Sequence, residues 1–247
     1  MKILSIDIET SPNLAHVWGL WQQNIGATSQ LLESTEMLCF AAKWLGVKGK
    51  PEFYSTYAHG KPTMVAKAWG LLNEADVVMH YNGRRFDVPH LNREFLQLGL
   101  KPPAPFKQID LMEVVKRRFK FPSNSLAYVS KALGLRGKVP HTGHQLWIDC
   151  LAGDPKAWLL MEKYNKQDVV LLEELYALLQ PWVPSHPSHA AETGQHVCPS
   201  CGSDQLTKQG TAYTAVSAFQ RWRCTPCGAW SRSTKRDFGT TITQVAI

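Results

Sequence analysis

Four of the six cysteines lie in two Cys-x-x-Cys pairs near the end of the chain, Cys198–Cys201 and Cys224–Cys227. The two thiolates of such a pair can bind one metal ion from a single tight turn, and two pairs supply the four sulfur ligands of a tetrahedral Zn²⁺. Gly202 and Gly228 follow the pairs, where the turn leaves little room for a side chain. The spacing predicts one structural Zn²⁺ at the centre of this part of the fold.

The two pairs and the residues between them resemble a zinc ribbon. Residues 211–223 are rich in Thr, Val and aromatic side chains and predict a hairpin. Arg221, Trp222 and Arg223 are its candidates for binding single-stranded nucleic acid, by phosphate pairing and base stacking. Two alternatives remain open. One is a redox disulfide within each pair, although no thioredoxin-like pattern surrounds them. The other is a structural or protein-docking ribbon whose aromatic side chains pack inwards.

The rest of the chain predicts a larger α/β domain, because apolar runs with strand character alternate with patterns of helical period. The predicted strands cover residues 2–8, 37–45, 52–57, 76–80 and 108–111. The predicted helices cover residues 64–73, 88–98, 111–118, a segment from a cap at Ser123 or Asn124 to 133, and 156–179. The helical pattern stops at Pro181, and residues 184–194 are interpreted as a linker. The predicted domains are therefore 1–184 and 185–247.

Composition excludes several classes of protein. Hydrophobic residues make up 44% and charged residues 19% of the 247, which is typical of a globular chain and not of a disordered or coiled-coil one. No apolar run reaches the ~20 residues of a membrane-spanning helix, and Asp7 and Glu9 interrupt the short apolar start. We therefore expect no membrane association and a cytoplasmic location. The net charge of +7 favours a polyanionic partner such as nucleic acid, with an ordinary basic surface as the alternative.

The first acidic motif, Asp7-Ile8-Glu9, ends the first predicted strand. Residues two apart in a strand point to the same face, so the two carboxylates are expected to lie side by side. Their mutual repulsion is relieved when a cation binds between them. The alternative is a strand end at which both carboxylates are solvated.

Two further acidic residues stand in motifs of their own. Asp87 ends the run Asn82-x-x-x-Phe86-Asp87, at a strand-to-helix connection where functional groups often collect, and a helix cap is the alternative. Tyr164 and Asp168 lie four apart on the apolar face of the longest predicted helix. A carboxylate in such a face is costly to bury unless it is paired or binds a cation. The alternative is that Asp168 reaches water at the edge of that face.

In this order the three motifs resemble the DEDDy group of 3′–5′ exonucleases, which is similar to the proofreading exonuclease domain of family B DNA polymerases. The resemblance covers roughly residues 1–180 and implies an RNase H-like fold, a mixed sheet flanked by helices. It also implies hydrolysis of phosphodiester bonds in nucleic acid with two Mg²⁺ or Mn²⁺ ions. The zinc ribbon lies outside the resemblance and no polymerase module follows, so a free-standing nuclease is expected.

The resemblance also implies roles for the acidic residues. Asp7 would contact both ions, Glu9 and Asp168 would hold the ion that generates the nucleophile, and Asp87 would support the second ion, in part through water. Tyr164 would orient the attacking water. An unperturbed tyrosine has a pKa near ~10, so a positioning role suits it better than that of a general base at neutral pH.

Substrate contacts are implied for a further set of residues. Thr10, Asn82 and Phe86 match the positions that meet the 3′-terminal nucleotides and the terminal 3′-OH. Arg84 and Arg85 lie within the second motif and are candidates for phosphate contacts. Other candidates for a phosphate track, each with a solvated surface position as the alternative, are Lys116, Arg117, Arg118, Lys120, Lys131, Arg136 and Lys138.

Four other polar residues have structural or weaker functional interpretations. Asp110 is expected to cap a helix, with a supporting position near the metal site as the alternative. His80 is expected to pack in the core. His141 and His144 are placed in a loop before the long helix, and such a loop is one place where substrate would be met.

The leading hypothesis is a metal-dependent 3′–5′ exonuclease, with single-stranded DNA favoured and RNA possible, and with the zinc ribbon aiding substrate binding. An RNase H-like endonuclease or structure-specific nuclease is one alternative. A nucleic-acid-binding or partner-docking protein with an inactive nuclease site is the other. Protein partners are left open.

Overall fold

Ten strands and eight α-helices follow one another along residues 1–236, the part of the chain that the computed structural model describes. The strands are β1 (Ile3–Thr10), β2 (Leu14–Ala15), β3 (Leu31–Glu33), β4 (Met37–Trp44), β5 (Glu52–Ser55), β6 (Val77–His80), β7 (Lys107–Asp110), β8 (Leu206–Tyr213), β9 (Ala218–Cys224) and β10 (Trp230–Arg232). The helices are α1 (Thr56–His59), α2 (Lys61–Glu74), α3 (Asp87–Gln97), α4 (Leu111–Arg118), α5 (Leu126–Ala132), α6 (His144–Leu151), α7 (Pro155–Leu179) and α8 (His189–Thr193). Contacts divide these elements into two units, Lys2–Leu175 and Met1 with the chain from Tyr176 onward.

The first unit contains a five-stranded mixed sheet in the order β5-β4-β1-β6-β7. Strand β1 is antiparallel to β4 and parallel to β6, and β7 is parallel to β6. The parallel strands β1, β6 and β7 therefore end at the same edge of the sheet, where Glu9, His80 and Asp110 lie. Helices flank this sheet, so the predicted RNase H-like fold class is confirmed.

Apolar side chains from β1 hold the first unit together. Leu4 and Ile6 are fully buried, and they pack in one cluster with Phe40 of β4, Leu72 of α2 and Leu91 of α3. Burying a large aliphatic or aromatic side chain contributes about 1.5–3 kcal/mol. The residues that fix the end of β1, and with it Asp7 and Glu9, are thus core residues.

A second apolar cluster brings helix α7 against strand β4. Cys39 of β4 and Met161 of α7 are fully buried, and Leu146, Trp158 and Tyr164 pack with them. Tyr164 therefore belongs to the core through its ring. None of the helices in residues 1–236 is long and apolar enough to cross a bilayer.

The second unit contains a three-stranded antiparallel sheet in the order β10-β9-β8. The register of β8 against β9 shifts between Lys208 and Thr211, where Gly210 has a positive φ of 70° that suits glycine. Cys198 and Cys224 are buried in one small cluster with Ala229. The predicted four-cysteine cluster is confirmed, and it is compatible with a zinc ribbon.

Four local expectations differ from the structure. The strand predicted over 52–57 ends at Ser55, because the Ser55 hydroxyl accepts a hydrogen bond from the Ala58 N–H and starts helix α1. The cap of α5 is Ser125 and not Ser123 or Asn124, since its hydroxyl accepts from Tyr128 N. His144 begins a helix, α6, instead of lying in a loop. The residues interpreted as a linker include α8, while the position of the domain boundary itself stays a prediction.

Candidate active site

Asp7 and Glu9 project from the same face of β1, two residues apart. They lie opposite Ala41 and Cys39 of β4, just before the register shift between Glu9 and Thr10. Asp168 comes from α7 and is only 2% exposed. Carboxylate oxygens of these three residues lie within 4.8 Å of one another. The structure thus brings the first and third acidic motifs together in one site, in which Asp168 is buried and Asp7 and Glu9 are partly buried.

Asp87, the first residue of α3, joins the same site from the second motif. It is 3% exposed, and its Oδ1 accepts a hydrogen bond of 3.1 Å from Ile8 N, the residue between Asp7 and Glu9. Its charge raises the pKa of Asp7. We call Asp7, Glu9, Asp87 and Asp168 the acidic cluster.

Burial and repulsion make the acidic cluster hard to ionise fully. Burial, followed by the charges of the other three members, raises the pKa of Asp7 well above its ordinary value. Burial and the charge of Asp168 raise the pKa of Glu9 to about 8, and burial raises that of Asp87 to about 7. Burial also raises the pKa of Asp168. Shifts of this direction are those of carboxylates crowded together away from water, and they favour the binding of a cation.

Lys138 supplies a positive charge inside the site. Its Nζ donates to Asp168 Oδ2 at 2.6 Å and to Tyr164 Oη at 3.1 Å. The ammonium lowers the pKa values of Asp7, Glu9 and Asp168. The sequence placed Lys138 on a basic surface track, and the structure instead places it beside the acidic cluster.

Tyr164 is held in one orientation by other aromatic rings. The rings of His141 and Trp147 pack edge-on against it, with centroids 4.8 and 6.1 Å away. The Tyr164 phenol lowers the pKa of Asp168. Burial and the nearby carboxylates raise the pKa of Tyr164 above its ordinary value, so the phenol stays protonated. His141 was predicted to lie in a loop where substrate would be met. The structure shows its ring packed against Tyr164.

Two residues that support the cluster were not found from the sequence. Asn165 is fully buried, and its Nδ2 donates to Asp7 Oδ2 at 2.7 Å and to the Asp7 carbonyl at 3.2 Å. The Trp147 side chain lowers the pKa of Glu9. The only feature of the sequence that points to Asn165 is its position next to Tyr164. No feature of the sequence points to Trp147.

The segment between β6 and α3 carries the predicted substrate-binding residues. Asn82 has a positive φ of 67°, and its N–H donates to Asp110 Oδ1 at 2.9 Å. Phe86 is 38% exposed and its ring packs edge-on against His90. Arg84 and Arg85 are exposed. The structure keeps these residues together in one turn, and their contact with substrate stays a prediction.

Asp110 and His80 have structural roles in this turn. Asp110 caps α4 through Met112 N and also accepts the N–H groups of Asn82 and Arg84. His80 is fully buried, and Gly83 N donates to its Nδ1 at 3.1 Å. Both observations agree with the helix-cap and core interpretations.

The four paired cysteines converge on one point in the second unit. Their Sγ atoms lie within 4.8 Å of one another, with Cys198 and Cys227 3.7 Å apart and Cys201 and Cys224 3.6 Å apart. Four sulfurs at ~2.3 Å from a tetrahedral Zn²⁺ are ~3.8 Å apart, so the site has the size that zinc requires. All four are free thiols, with no disulfide within either pair.

The three ribbon residues predicted to bind nucleic acid do not share a face. Arg221 and Arg223 are exposed on one face of β9, and Trp222 points to the other. Trp222 is half-buried against His196, and its Nε1 has no hydrogen-bond partner in residues 1–236.

Comparison with known proteins agrees with this architecture. A model of the RNase H superfamily matches residues 32–180, more than half of the chain. The chain belongs to the RNase H superfamily. The matched residues include Asp87, Tyr164 and Asp168, whereas Asp7 and Glu9 precede them.

Among solved structures, this RNase H superfamily member is similar to the family B DNA polymerase of the hyperthermophilic archaeon Pyrobaculum calidifontis. The TM-score is 0.54 at 15% sequence identity, over 87% of this chain and 31% of the polymerase chain. The chain thus spans about a third of the polymerase's length, and the likeness concerns the fold. No curated protein matches the chain.

Proposed function

We propose that the chain is a metal-dependent 3′–5′ exonuclease that hydrolyses phosphodiester bonds at a single-stranded 3′ end, with DNA favoured over RNA as substrate. One observation carries the proposal. Asp7 and Glu9 of the first motif and Asp168 of the third have carboxylate oxygens within 4.8 Å of one another, and Asp87 of the second motif accepts a hydrogen bond from Ile8 N beside them, in a chain of the RNase H superfamily. Membership of this superfamily supports a nuclease, and the motif order supports the 3′–5′ class.

The acidic cluster fits hard divalent cations. It offers only oxygen ligands, which suit Mg²⁺ and Mn²⁺. Asp168 Oδ1 is buried without a hydrogen-bond partner in residues 1–236, so one ligand atom is available. We assign Asp7, Glu9 and Asp168 to one ion and Asp7 with Asp87 to a second. Two such ions supply an activated water and neutralise charge on the leaving oxygen when bound.

The protein's own groups position the reactants around the cluster. Asn165 holds the Asp7 carboxylate in place through its 2.7 Å hydrogen bond. Tyr164 stays protonated, so it orients the attacking water by hydrogen bonding and does not take its proton. Lys138 balances part of the negative charge of the cluster.

Substrate is held by the turn after β6 and by the end of β1. The exposed ring of Phe86 stacks on a terminal base, and Asn82 and Thr10 bind the terminal nucleotide. Arg84 and Arg85 are exposed and pair with phosphates. The ribbon cysteines hold one structural Zn²⁺, and the ribbon adds to substrate binding.

A nuclease assay tests the proposal. Single-stranded DNA and RNA of the same sequence, labelled at the 5′ end, are incubated with Mg²⁺, with Mn²⁺ or without either ion. We expect a metal-dependent ladder that shortens from the 3′ end. Glu9→Gln and Asp168→Ala should abolish it, and Glu33→Gln, which removes an exposed carboxylate of β3, should not.

The assay separates the alternatives. Full metal-dependent activity in both cluster variants would place the active site elsewhere. Cleavage of a circular single-stranded DNA would identify an endonuclease, because an exonuclease needs an end. Binding without turnover on any of these substrates would identify a nucleic-acid-binding protein with an inactive site.

A further inference from the structure

One face of the ribbon sheet combines arginine and aromatic side chains. The register of β9 and β10 places Arg223 opposite Trp230 and Arg221 opposite Arg232. Directly opposite residues in an antiparallel pair lie on the same face of a sheet. We call Arg221, Arg223, Trp230 and Arg232 the Arg–Trp face.

The side chains of the Arg–Trp face contact each other. The guanidinium carbons of Arg221 and Arg223 lie 4.9 and 5.5 Å from the centroid of the Trp230 ring. That of Arg232 lies 3.9 Å from the ring of Phe219. The Arg221 Nε also donates to the Gln209 carbonyl at 2.8 Å. The rings thus hold the guanidinium groups in position before any ligand binds.

This arrangement is open to solvent, and its arginines have no ion-pair partner in residues 1–236. Trp230 is 51% exposed, and all three arginines are exposed. Residues 205–236 contain no Asp or Glu, and no arginine of the face forms an ion pair within the chain up to residue 236. The basic residues within 205–236 are Lys208, Arg221, Arg223, Arg232, Lys235 and Arg236. A surface of this kind attracts a polyanion.

We propose that the Arg–Trp face binds single-stranded nucleic acid, with a base stacked on Trp230 and adjacent phosphates paired with the arginines. An aromatic ring among guanidinium groups suits a ligand that alternates flat bases with phosphates, and unpaired bases expose the faces that such a ring needs. The inference rests on the proposed function in one respect: the strand bound is the one that the acidic cluster hydrolyses. Trp222, on the opposite face, is not part of this surface.

The opposite face of the same sheet supplies matched controls. Tyr213 is 80% exposed and lies opposite Ala218, on the face of Trp222. Lys208 lies opposite Trp222, with its Nζ 5.6 Å from that ring. Tyr213 is an aromatic control for Trp230, and Lys208 is a cationic control for Arg223. Both lie on the face of the sheet that is not proposed to bind nucleic acid.

Fluorescence anisotropy on the zinc-loaded full chain tests the proposal. All proteins carry Asp7→Ala so that the strand is not hydrolysed, and the probe is a labelled single-stranded DNA or the RNA of the same sequence. Trp230→Ala should weaken binding roughly 5- to 100-fold, the range for loss of one stacked base, and Tyr213→Ala should leave it unchanged. Arg223→Gln should lower the slope of log affinity against log salt by roughly 0.7, and Lys208→Gln should not.

Equal losses for Trp230→Ala and Tyr213→Ala, or no loss for either, would overturn the proposal. So would displacement of the strand by polyglutamate at equal charge concentration, which would indicate a general acidic or protein ligand. Zinc content, measured for each variant, excludes an unfolded ribbon as the cause of a loss. The nuclease assay tests the exonuclease hypothesis separately. Wild-type protein that binds the strand through Trp230 but does not shorten it would refute the exonuclease activity and still support the binding surface.

Discussion

The Lys138 ammonium contacts the Asp168 carboxylate, so a cation bound to Asp168 would lie close to a like charge. Its ammonium is 2.6 Å from Asp168 Oδ2, and its side chain is 27% exposed. An ammonium and a divalent cation ~4 Å apart repel by about 8 kcal/mol at an effective dielectric constant of ~20. Solvent screening of the partly exposed lysine reduces this to about 1–2 kcal/mol. Replacing Lys138 by glutamine should therefore tighten Mn²⁺ binding roughly 5- to 30-fold.

Isothermal titration of the zinc-loaded protein with Mn²⁺ measures this change. Lys166→Gln is the matched control, because it removes the same charge, and Lys166 is 26% exposed and has its own partner in Glu162. Mn²⁺ binding to Lys138→Gln that is no tighter than to Lys166→Gln would refute the reasoning. It would mean that the ammonium leaves Asp168 without cost when the cation binds, or that the cation does not use Asp168.

Three further predictions concern the supports of the site and the ribbon. Asn165→Leu removes the hydrogen bond that orients Asp7 and should weaken Mn²⁺ binding ~10- to 100-fold; an unchanged titration would contradict this. Buried Glu94 has a lowered pKa, because hydrogen bonds from Arg93, Lys61 and a backbone N–H outweigh the opposite effect of burial. Glu94→Gln should therefore cost ~1–3 kcal/mol at pH 7. This difference in urea unfolding should shrink as the pH falls below about 4, since the carboxylate's contribution is lost on protonation through its folded pKa; a constant difference would contradict it. Removing Zn²⁺ with a chelator should open the ribbon to protease while the five-stranded sheet stays protected, because zinc binding supplies about 10–16 kcal/mol in such modules; mass spectrometry of the fragments decides.

The sequence predicted the elements whose signals are local. The apolar run of β1 and the helical period of α7 identify their elements without reference to the rest of the chain. The Cys-x-x-Cys pairs likewise carry their chemistry in four residues each. Asp7, Glu9 and Asp168 were found because a strand or helix period assigns each to one face. Such patterns can be recognised in a single sequence, because they depend only on the geometry of one helix, strand or turn.

Contacts between distant segments could not be predicted in this way. Lys138 lies between helices, where no period assigns a face, and its partners Tyr164 and Asp168 are on α7. Trp147 affects the pKa of Glu9 only because α6 forms, and α6 had no recognised start signal. The Arg–Trp face required the register of β9 and β10, which sets Trp230 opposite Arg223. In each case the information lies in how two elements pair.

Hydrogen bonds of the acidic cluster also connect strand β1 with helices α3 and α7. Asp87 accepts a hydrogen bond from Ile8 N and so ties α3 to β1, and Asn165 ties α7 to Asp7 of the same strand. These contacts hold carboxylates together in a site where burial, and after it their mutual repulsion, raises the pKa values of Asp7 and Glu9. Under the proposed function, a cation bound by the cluster would relieve that repulsion and would bind only the folded arrangement, so it would stabilise the chain by mass action. The carboxylates that the proposed chemistry requires would thus also link metal binding to the stability of the fold.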